Sequence, residues 1–419
     1  MIRRASDRKR KPASDRPPQN WRARGAVAAA CTVLAFFGVT SSFANVAVKA
    51  DAATARALAP GNGVITAALA QELFAAQPDA DDTSLTARLA REALLQDATA
   101  VEALTVLGFQ AQLRGDKEAS DRYFALGTRL SRRELRPQLW AIEEAVSRGD
   151  IAGALGKYDV ALRTSADAQT MLFPILANAL SEAAIRRELL QIMATRPVWG
   201  QSFIAFAAAA GRDPVAAAQF FRDGRSIPLQ VGESEHASLV NALFNASNFS
   251  AAWSQYATLR AGASRNASRD PDFSLVSDAR TPFDWLTTED PSLSAAILRT
   301  PDGGVLDFSV PAGASGPVAS QIQMLPPGRY RLIGRSAGVE QPERSRPYWL
   351  LSCYGGQELG RVPLPNSAQQ QRVFTGTFTV PAGCPVQTLS LVARVTDDIN
   401  GVSGRILDVQ LSLQSREGT

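Results

Sequence analysis

The tripeptide Arg-Gly-Asp occurs at 114–116 and again at 148–150, an offset of 34 residues that constrains the possible folds more than any other feature of this chain. The surroundings repeat with it. Leu104, Leu107, Gly108 and Ala111 precede the first copy, and Leu139, Ile142 and Ala145 precede the second. Ala119, Tyr123, Phe124 and Gly127 follow the first copy, and Ala154, Tyr158, Ala161 and Leu162 follow the second. Such spacing puts apolar residues on one face of an α-helix. Gly suits the left-handed residue that ends a helix, and Asp accepts from the free backbone N–H groups that open the next. Each unit therefore reads as helix, turn, helix, with Gly115, Asp116, Gly149 and Asp150 as the turn residues. Units of this kind bury their faces only against neighbours, so about three or more are needed for stability.

Weaker units lie on both sides. Residues 64–76 and 84–96 form one, with Ala90, Ala93 and Leu94 on the packing face. Residues 239–259 form another, with Phe249, Ala252, Tyr256 and Leu259 in the corresponding places. Segments 171–180, 182–194, 201–210 and 214–222 also have helical spacing. Pro197, Gly211-Arg212-Asp213-Pro214 and Ile227-Pro228 punctuate them. The whole span 53–263 is expected to form an α-solenoid.

Residues 261–272 are small, polar and turn-forming, and they read as a linker. Beyond them the hydrophobic period changes to two. Tyr330 and Leu332 alternate with arginines. Phe374, Gly376, Phe378 and Val380 alternate with Val373 and threonines. Leu389, Leu391, Ala393 and Val395 form a third such row, and Leu407, Val409, Leu411 and Leu413 a fourth. Rows of this kind are half-buried antiparallel strands. Pro326-Pro327-Gly328, Pro381-Ala382-Gly383 and Asn400-Gly401 supply turns. Roughly eight to ten strands in residues 273–419 imply a β-sandwich of jelly-roll type.

The N-terminus decides the compartment. Residues 1–24 carry nine Lys/Arg against Asp7 and Asp15, a net charge of +7. The rest holds 35 basic and 38 acidic residues, so the overall basicity belongs to this tail. Residues 25–48 contain no charge. A basic flank keeps its end of an apolar segment in the cytoplasm. The 24 uncharged residues are long enough to span a bilayer, and a single-pass anchor is expected. The alternative is a signal peptide cleaved near Ser42-Phe43-Ala44. The mildly acidic remainder argues against nucleic acid, which needs basic surface.

Cys31 lies in the apolar segment and reads as a small hydrophobe. Cys353 and Cys384 share the β-region, and in an oxidising compartment they are expected to pair, the alternative being two buried thiols. Closing that loop would contribute about 3 kcal/mol.

Three resemblances follow from these residues. The 34-residue units resemble tetratricopeptide repeats, although Ala119 falls one place early and no Trp opens the first unit. Phe283-Asp284-Trp285, the strand at 306–310, Pro-Gly-Arg-Tyr-Arg-Leu at 327–332 and the closing strand at 404–409 resemble carbohydrate-binding jelly-roll modules. Asn45-Val46, Leu58-Ala59-Pro60-Gly61-Asn62, Gln138-Leu139-Trp140-Ala141-Ile142-Glu143 and Val380-Pro381-Ala382-Gly383-Cys384 with Cys353 make the chain similar to membrane-anchored, repeat-containing alphaproteobacterial proteins linked to exopolysaccharide production. This last resemblance implies a process more than a chemical role.

Candidate site residues are few. His236 is the lone histidine, which restricts Ser-His-Asp, Cys-His and His-cluster metal chemistry; it reads as a solvated surface residue. Glu143 and Glu144 are adjacent on a helix and diverge, so they make a poor hydrolytic pair. Asp397, Asp398 and Asn400 could hold a structural Ca²⁺, the plain alternative being an Asn-Gly hairpin turn. Trp285, Tyr348, Trp349 and Tyr354 are the aromatics able to stack on sugar rings, or else to fill a core. Arg129, Arg132 and Arg133 could pair with an acidic partner or simply be solvated. Asn245, Asn248 and Asn266 form Asn-x-Ser sequences without expected consequence.

The expected protein is thus an α + β multidomain chain: a cytoplasmic tail (1–24), a transmembrane anchor or signal (25–48), tetratricopeptide-like repeats (53–263), a linker (261–272) and a sandwich (273–419). It is expected in the inner membrane as a single pass with its bulk periplasmic. The expected role is a non-enzymatic adaptor in exopolysaccharide assembly or export, needing no cofactor beyond that possible Ca²⁺. The repeats would bind a protein and the sandwich glycan or protein. The alternatives are a general scaffold without glycan contact and a glycan-acting hydrolase or lyase.

Overall fold

The computed structural model describes residues 21–227, 229–301 and 303–414; the basic tail lies outside the described residues as far as residue 20. The chain divides into two compact units between residues 165 and 166.

The first unit opens with α1 (Trp21–Ala47), 27 residues with an apolar window of mean hydropathy 1.8, long and apolar enough for one membrane span or a signal sequence. Its last turns enter the fold. Ala44 is wholly buried with Ala55 of α2 (Ala52–Leu58) and Ile65 of α3 (Gly63–Ala76). Antiparallel hairpins follow: α3 with α4 (Leu85–Gln96), α5 (Val101–Leu113) with α6 (Lys117–Leu130), and α7 (Leu135–Ser147) with α8 (Ile151–Thr164).

The two repeat turns have the same construction. Gly115 and Gly149 have φ of 78° and 70°, where a Cβ is disfavoured. Asp116 N–H reaches back to Ala111 C=O at 2.9 Å and Asp150 N–H to Ala145 C=O at 3.0 Å, the six-to-one bond of a Schellman end. The same two carboxylates then cap α6 and α8 by accepting from Ala119 N and Gly153 N. A Cβ on Gly108 would sit 2.9 Å from the Phe124 ring, so glycine lets α5 and α6 close on that ring. Phe74, Phe109, Phe124 and Trp140 continue as a ladder of ring contacts through successive hairpins.

The second unit joins six helices to the sandwich, so the expected repeat block 53–263 is divided. The helices are α9 (Asp167–Asn178), α10 (Ala183–Ala194), α11 (Gly200–Ala209), α12 (Pro214–Asp223), α13 (Glu233–Asn245) and α14 (Phe249–Leu259). Arg186 fastens this part. Its buried guanidinium donates to Leu180 C=O and Ser181 C=O and pairs with Asp223 at 3.2 Å. The α13–α14 turn repeats the Schellman bond, with Asn248 N–H to Leu243 C=O, but uses Ser247 at φ 59° instead of glycine.

Among the described residues, ten strands form two antiparallel five-stranded sheets. They are β1 (Leu286–Thr287), β2 (Ser294–Thr300), β3 (Gly303–Val310), β4 (Gly316–Gln323), β5 (Gly328–Ala337), β6 (Tyr348–Cys353), β7 (Glu358–Pro363), β8 (Arg372–Val380), β9 (Gln387–Ala393) and β10 (Val402–Leu413). One sheet runs β1-β4-β9-β6-β7 and the other β2-β3-β10-β5-β8. Tyr330, Leu332, Phe374, Phe378, Leu389 and Leu391 from both sheets meet in one core. A bulge at Leu407 shifts the register of β10, so Ile406 joins Val409 and Leu411 inside and Leu407 is left half-buried.

The expected linker is built into the sandwich. Residues 266–272 run beside β10: Leu413 N–H donates to Asn266 C=O, Ser268 N–H to Leu411 C=O, and Val409 N–H to Pro271 C=O. Small polar residues can line a sheet edge as easily as a free loop when unpaired backbone groups face them.

Candidate functional site

Two helical stripes and one end of the sandwich form a cleft of about 660 Å³ within the second unit. Val215, Ala218 and Arg222 recur at i, i+3 and i+7 along α12 and face it, and Arg225 follows one turn later. Asn248, Ala251 and Gln255 supply the facing wall from the start and body of α14, with Ser247, Ser250 and Ser254 beside them. The third wall is Met324 after β4 with Pro385 and Val386 before β9. Small side chains on both helices keep the space open. Phe249, Met324 and Val386 give it an apolar patch, and no carboxylate lines it among the described residues.

Arg222 and Arg225 are exposed. Arg225 donates to Thr258 Oγ1 at 3.2 Å. Gln255 contacts His236 Nδ1 behind the wall, where the His236 ring lies edge-on to Phe221. His236 is thus half-buried, not solvated as expected. Burial first, and Arg225 second, hold its pKa below the usual histidine value, which keeps it neutral near pH 7.

The cleft stands on a seam between α13–α14 and the sandwich. At its centre is Arg269, which was expected in a linker. Its guanidinium lies over the rings of Trp253 at 5.2 Å, Tyr256 at 5.8 Å and Phe283 at 5.9 Å. It donates to Phe283 C=O at 2.9 Å, to Gln323 Oε1 at 3.1 Å and to Ile322 C=O. Burial lowers its pKa to about 10, opposed by Tyr256 and Asp284, so it stays charged. Tyr256 Oη donates to Asp284 Oδ1 at 2.9 Å, and Thr281 donates to Oδ2 through both its N–H and its hydroxyl. Burial and then Asp284 raise the Tyr256 pKa well above that of a free phenol.

Cys353 and Cys384 are joined. The bridge ties the end of β6 to the segment before β9, where Tyr354 N–H donates to Val386 C=O at 2.9 Å. It therefore secures the cleft's β-wall. Tyr354 is half exposed and packs edge-on against Phe244 at 5.3 Å and Phe249 at 5.6 Å.

The other sugar-stacking candidates are placed elsewhere. Trp285 and Trp349 are 1% and 0% exposed, 5.6 Å apart in the core, which corrects their assignment as platforms: no ring face is free. Tyr348 is buried between the guanidiniums of Arg361 and Arg394, at 4.8 and 4.7 Å. Strand alternation shows which residues share a face, but it does not show which loops and partners cover that face.

Asp398 Oδ1 accepts from Asn400 N and Nδ2, and Gly401 N–H donates to Asp398 C=O. The turn joins β9 of one sheet to β10 of the other, so it is not the hairpin that Asn-Gly suggests. Among the described residues no three His, Cys, Asp or Glu gather as a metal cage would, so Asp397, Asp398 and Asn400 have no further carboxylate to complete a Ca²⁺ site. Glu144 pairs with Arg148, the residue that caps the end of α7. Arg129, Arg132 and Arg133 are exposed around the end of α6. Sequence reasoning missed Arg222, Arg225, Gln255 and Asn248. The i, i+3, i+7 placement of Arg222 on an otherwise apolar α12 stripe was the available signal.

No protein-family model matches this chain. No curated sequence matches it either. Solved structures similar to it include TmCBM61 in complex with β-1,4-galactotriose, at 17% identity over 36% of this chain and 100% of that one, TM-score 0.26. They also include a CBM4 structure at 15% identity over 35% of this chain and 99% of that one, TM-score 0.27. A third is the carbohydrate-binding module CBM6cm-2 from Cellvibrio mixtus lichenase 5A in complex with cellotriose, at 14% identity over 32% of this chain and 98% of that one, TM-score 0.22.

Proposed function

We propose that this chain is a membrane-anchored, non-enzymatic adaptor that holds a glycan in the cleft of its second unit and serves extracellular polysaccharide assembly or export. The observation that carries the reading is the cleft lining. Hydroxyl and amide groups of Ser247, Asn248, Ser250, Ser254 and Gln255 flank an apolar patch at Phe249, Met324 and Val386. Saccharides present that mixture, with hydroxyls on ring edges and an apolar ring face. Glycoside hydrolysis needs a carboxylic acid and a second carboxylate on either side of the scissile bond, and no carboxylate lines this cleft. This lining supports binding as the role of the cleft.

The anchor reading is supported by the end of α1. Ala44 is buried against Ala55 and Ile65, and the helix continues to Ala47, so cleavage after Ala44 would cut folded structure. The bulk then lies in the periplasm, consistent with a pairing of Cys353 and Cys384. The first unit, read as tetratricopeptide-like, offers an apolar groove at Phe74, Pro78, Val106 and Phe109 for a protein partner. Calorimetric titration of the detergent-solubilised chain with oligosaccharides from the host's polysaccharide tests the proposal. Saturable heat without product release is expected. Turnover of the oligosaccharide, or no heat at any concentration, overturns it.

A further inference from the structure

We infer that the ligand of this cleft carries carboxylates, and that Arg222 and Arg225 read them; the inference rests on the glycan reading above. Three features of the same walls point there. Two guanidiniums approach one cleft from α12 and the turn after it, while among the described residues no Asp or Glu lines the cleft to neutralise them. Arg222 has no acidic partner among its described neighbours, and Arg225 has only the neutral Thr258 hydroxyl. The acids nearest in sequence are already engaged: Asp223 with Arg186, and Glu233 with Arg260 and Ser277. Positive charge is thus left over here in a chain whose residues beyond the tail are net acidic.

The donor set matches a uronic acid residue. A guanidinium meets a carboxylate with two parallel N–H···O bonds, a geometry that a hydroxyl cannot return. The serine hydroxyls and the Asn248 amide remain for the sugar's own hydroxyls. Phe249 and Val386 remain for the ring's apolar face. The exposure of both arginines makes the attraction sensitive to salt.

The test uses the full chain in detergent micelles with three probes: tetragalacturonate, its carboxyl-reduced neutral counterpart, and a hexaglutamate peptide. The uronate is expected to bind about tenfold or more tightly than the neutral tetrasaccharide, a gap that narrows as salt rises. Arg222→Gln and Arg225→Gln are each expected to weaken uronate binding several-fold and to weaken neutral-sugar binding by a clearly smaller factor, so that the uronate preference narrows. Both side chains are exposed, so folding is preserved, and unchanged thermal midpoints verify that. Equal binding of uronate and neutral sugar overturns the inference and leaves the glycan reading standing. Hexaglutamate binding as tightly as the uronate keeps the charge recognition and overturns the glycan reading. Binding of none of the three overturns both.

Discussion

The hairpins of the first unit and the seam of the second use aromatic rings in opposite ways. In the first, Phe74, Phe109, Phe124 and Trp140 form a ladder without charge, one or two rings per hairpin, handed from each hairpin to the next. In the second, Trp253, Tyr256 and Phe283 surround one buried cation, Arg269, with partners up to 54 residues away in sequence. The ladder continues from hairpin to hairpin because each hairpin solves the same packing problem as its neighbour. The seam occurs once, between elements of different type, and its polar groups must be matched individually. A ladder can lose a ring and repack locally. A seam that loses its cation leaves several buried acceptors empty at once.

The largest expected difference follows from that. Arg269→Ala strands the Phe283 and Ile322 carbonyls and the Gln323 amide, and should destabilise the second unit by about 3–5 kcal/mol. Arg331→Ala, on the exposed face of β5, should stay within about 0.5 kcal/mol. Thermal midpoints together with hydrogen-exchange protection at residues 266–273 measure the contrast. Similar effects from the two substitutions would mean that the seam is held by apolar packing alone.

The next effect is smaller. Replacing Cys353 and Cys384 by Ser releases a loop of separation 31 and should cost about 3 kcal/mol at most. Exchange protection should fall first at the Tyr354 amide, which reports on the cleft wall. Full retention there would assign the wall's order to the Tyr354–Val386 hydrogen bond.

The smallest test belongs to the first unit and sharpens the comparison. Gly149→Ala places a Cβ at positive φ and should cost about 1–2 kcal/mol. Gly156→Ala, inside α8 with open space around it, should instead stabilise by about 0.5–1 kcal/mol. Helix melting followed by circular dichroism separates them. Equal signs would show that the Gly-Asp turn is not the conformational determinant of the hairpin.

Much of the first unit is legible in the sequence. The Gly-Asp turns, the caps of α6 and α8 and the approach at Gly108 are each decided within one turn of chain or one repeat. Strand positions were legible for the same reason, since Tyr330 and Leu332 or Phe374 and Phe378 announce their face by alternation. The site was not legible. Trp285 and Trp349 have the composition of sugar platforms, yet each is covered by the other. Asn400-Gly401 has hairpin chemistry, but hydrogen-bond partners chosen elsewhere send the flanking strands into different sheets.

The sequence by itself determined where helices and strands lie, how the repeat hairpins turn, and that one segment is long and apolar enough to cross a membrane. Those are properties of period, propensity and capping, and they act over a few residues. Only the tertiary structure decided that residues 266–272 join a sheet, that Arg269 is enclosed by rings from a helix and a loop, and that Arg222, Gln255 and Val386 face one space. Those outcomes depend on which surfaces exclude water together, and no local pattern carries that information.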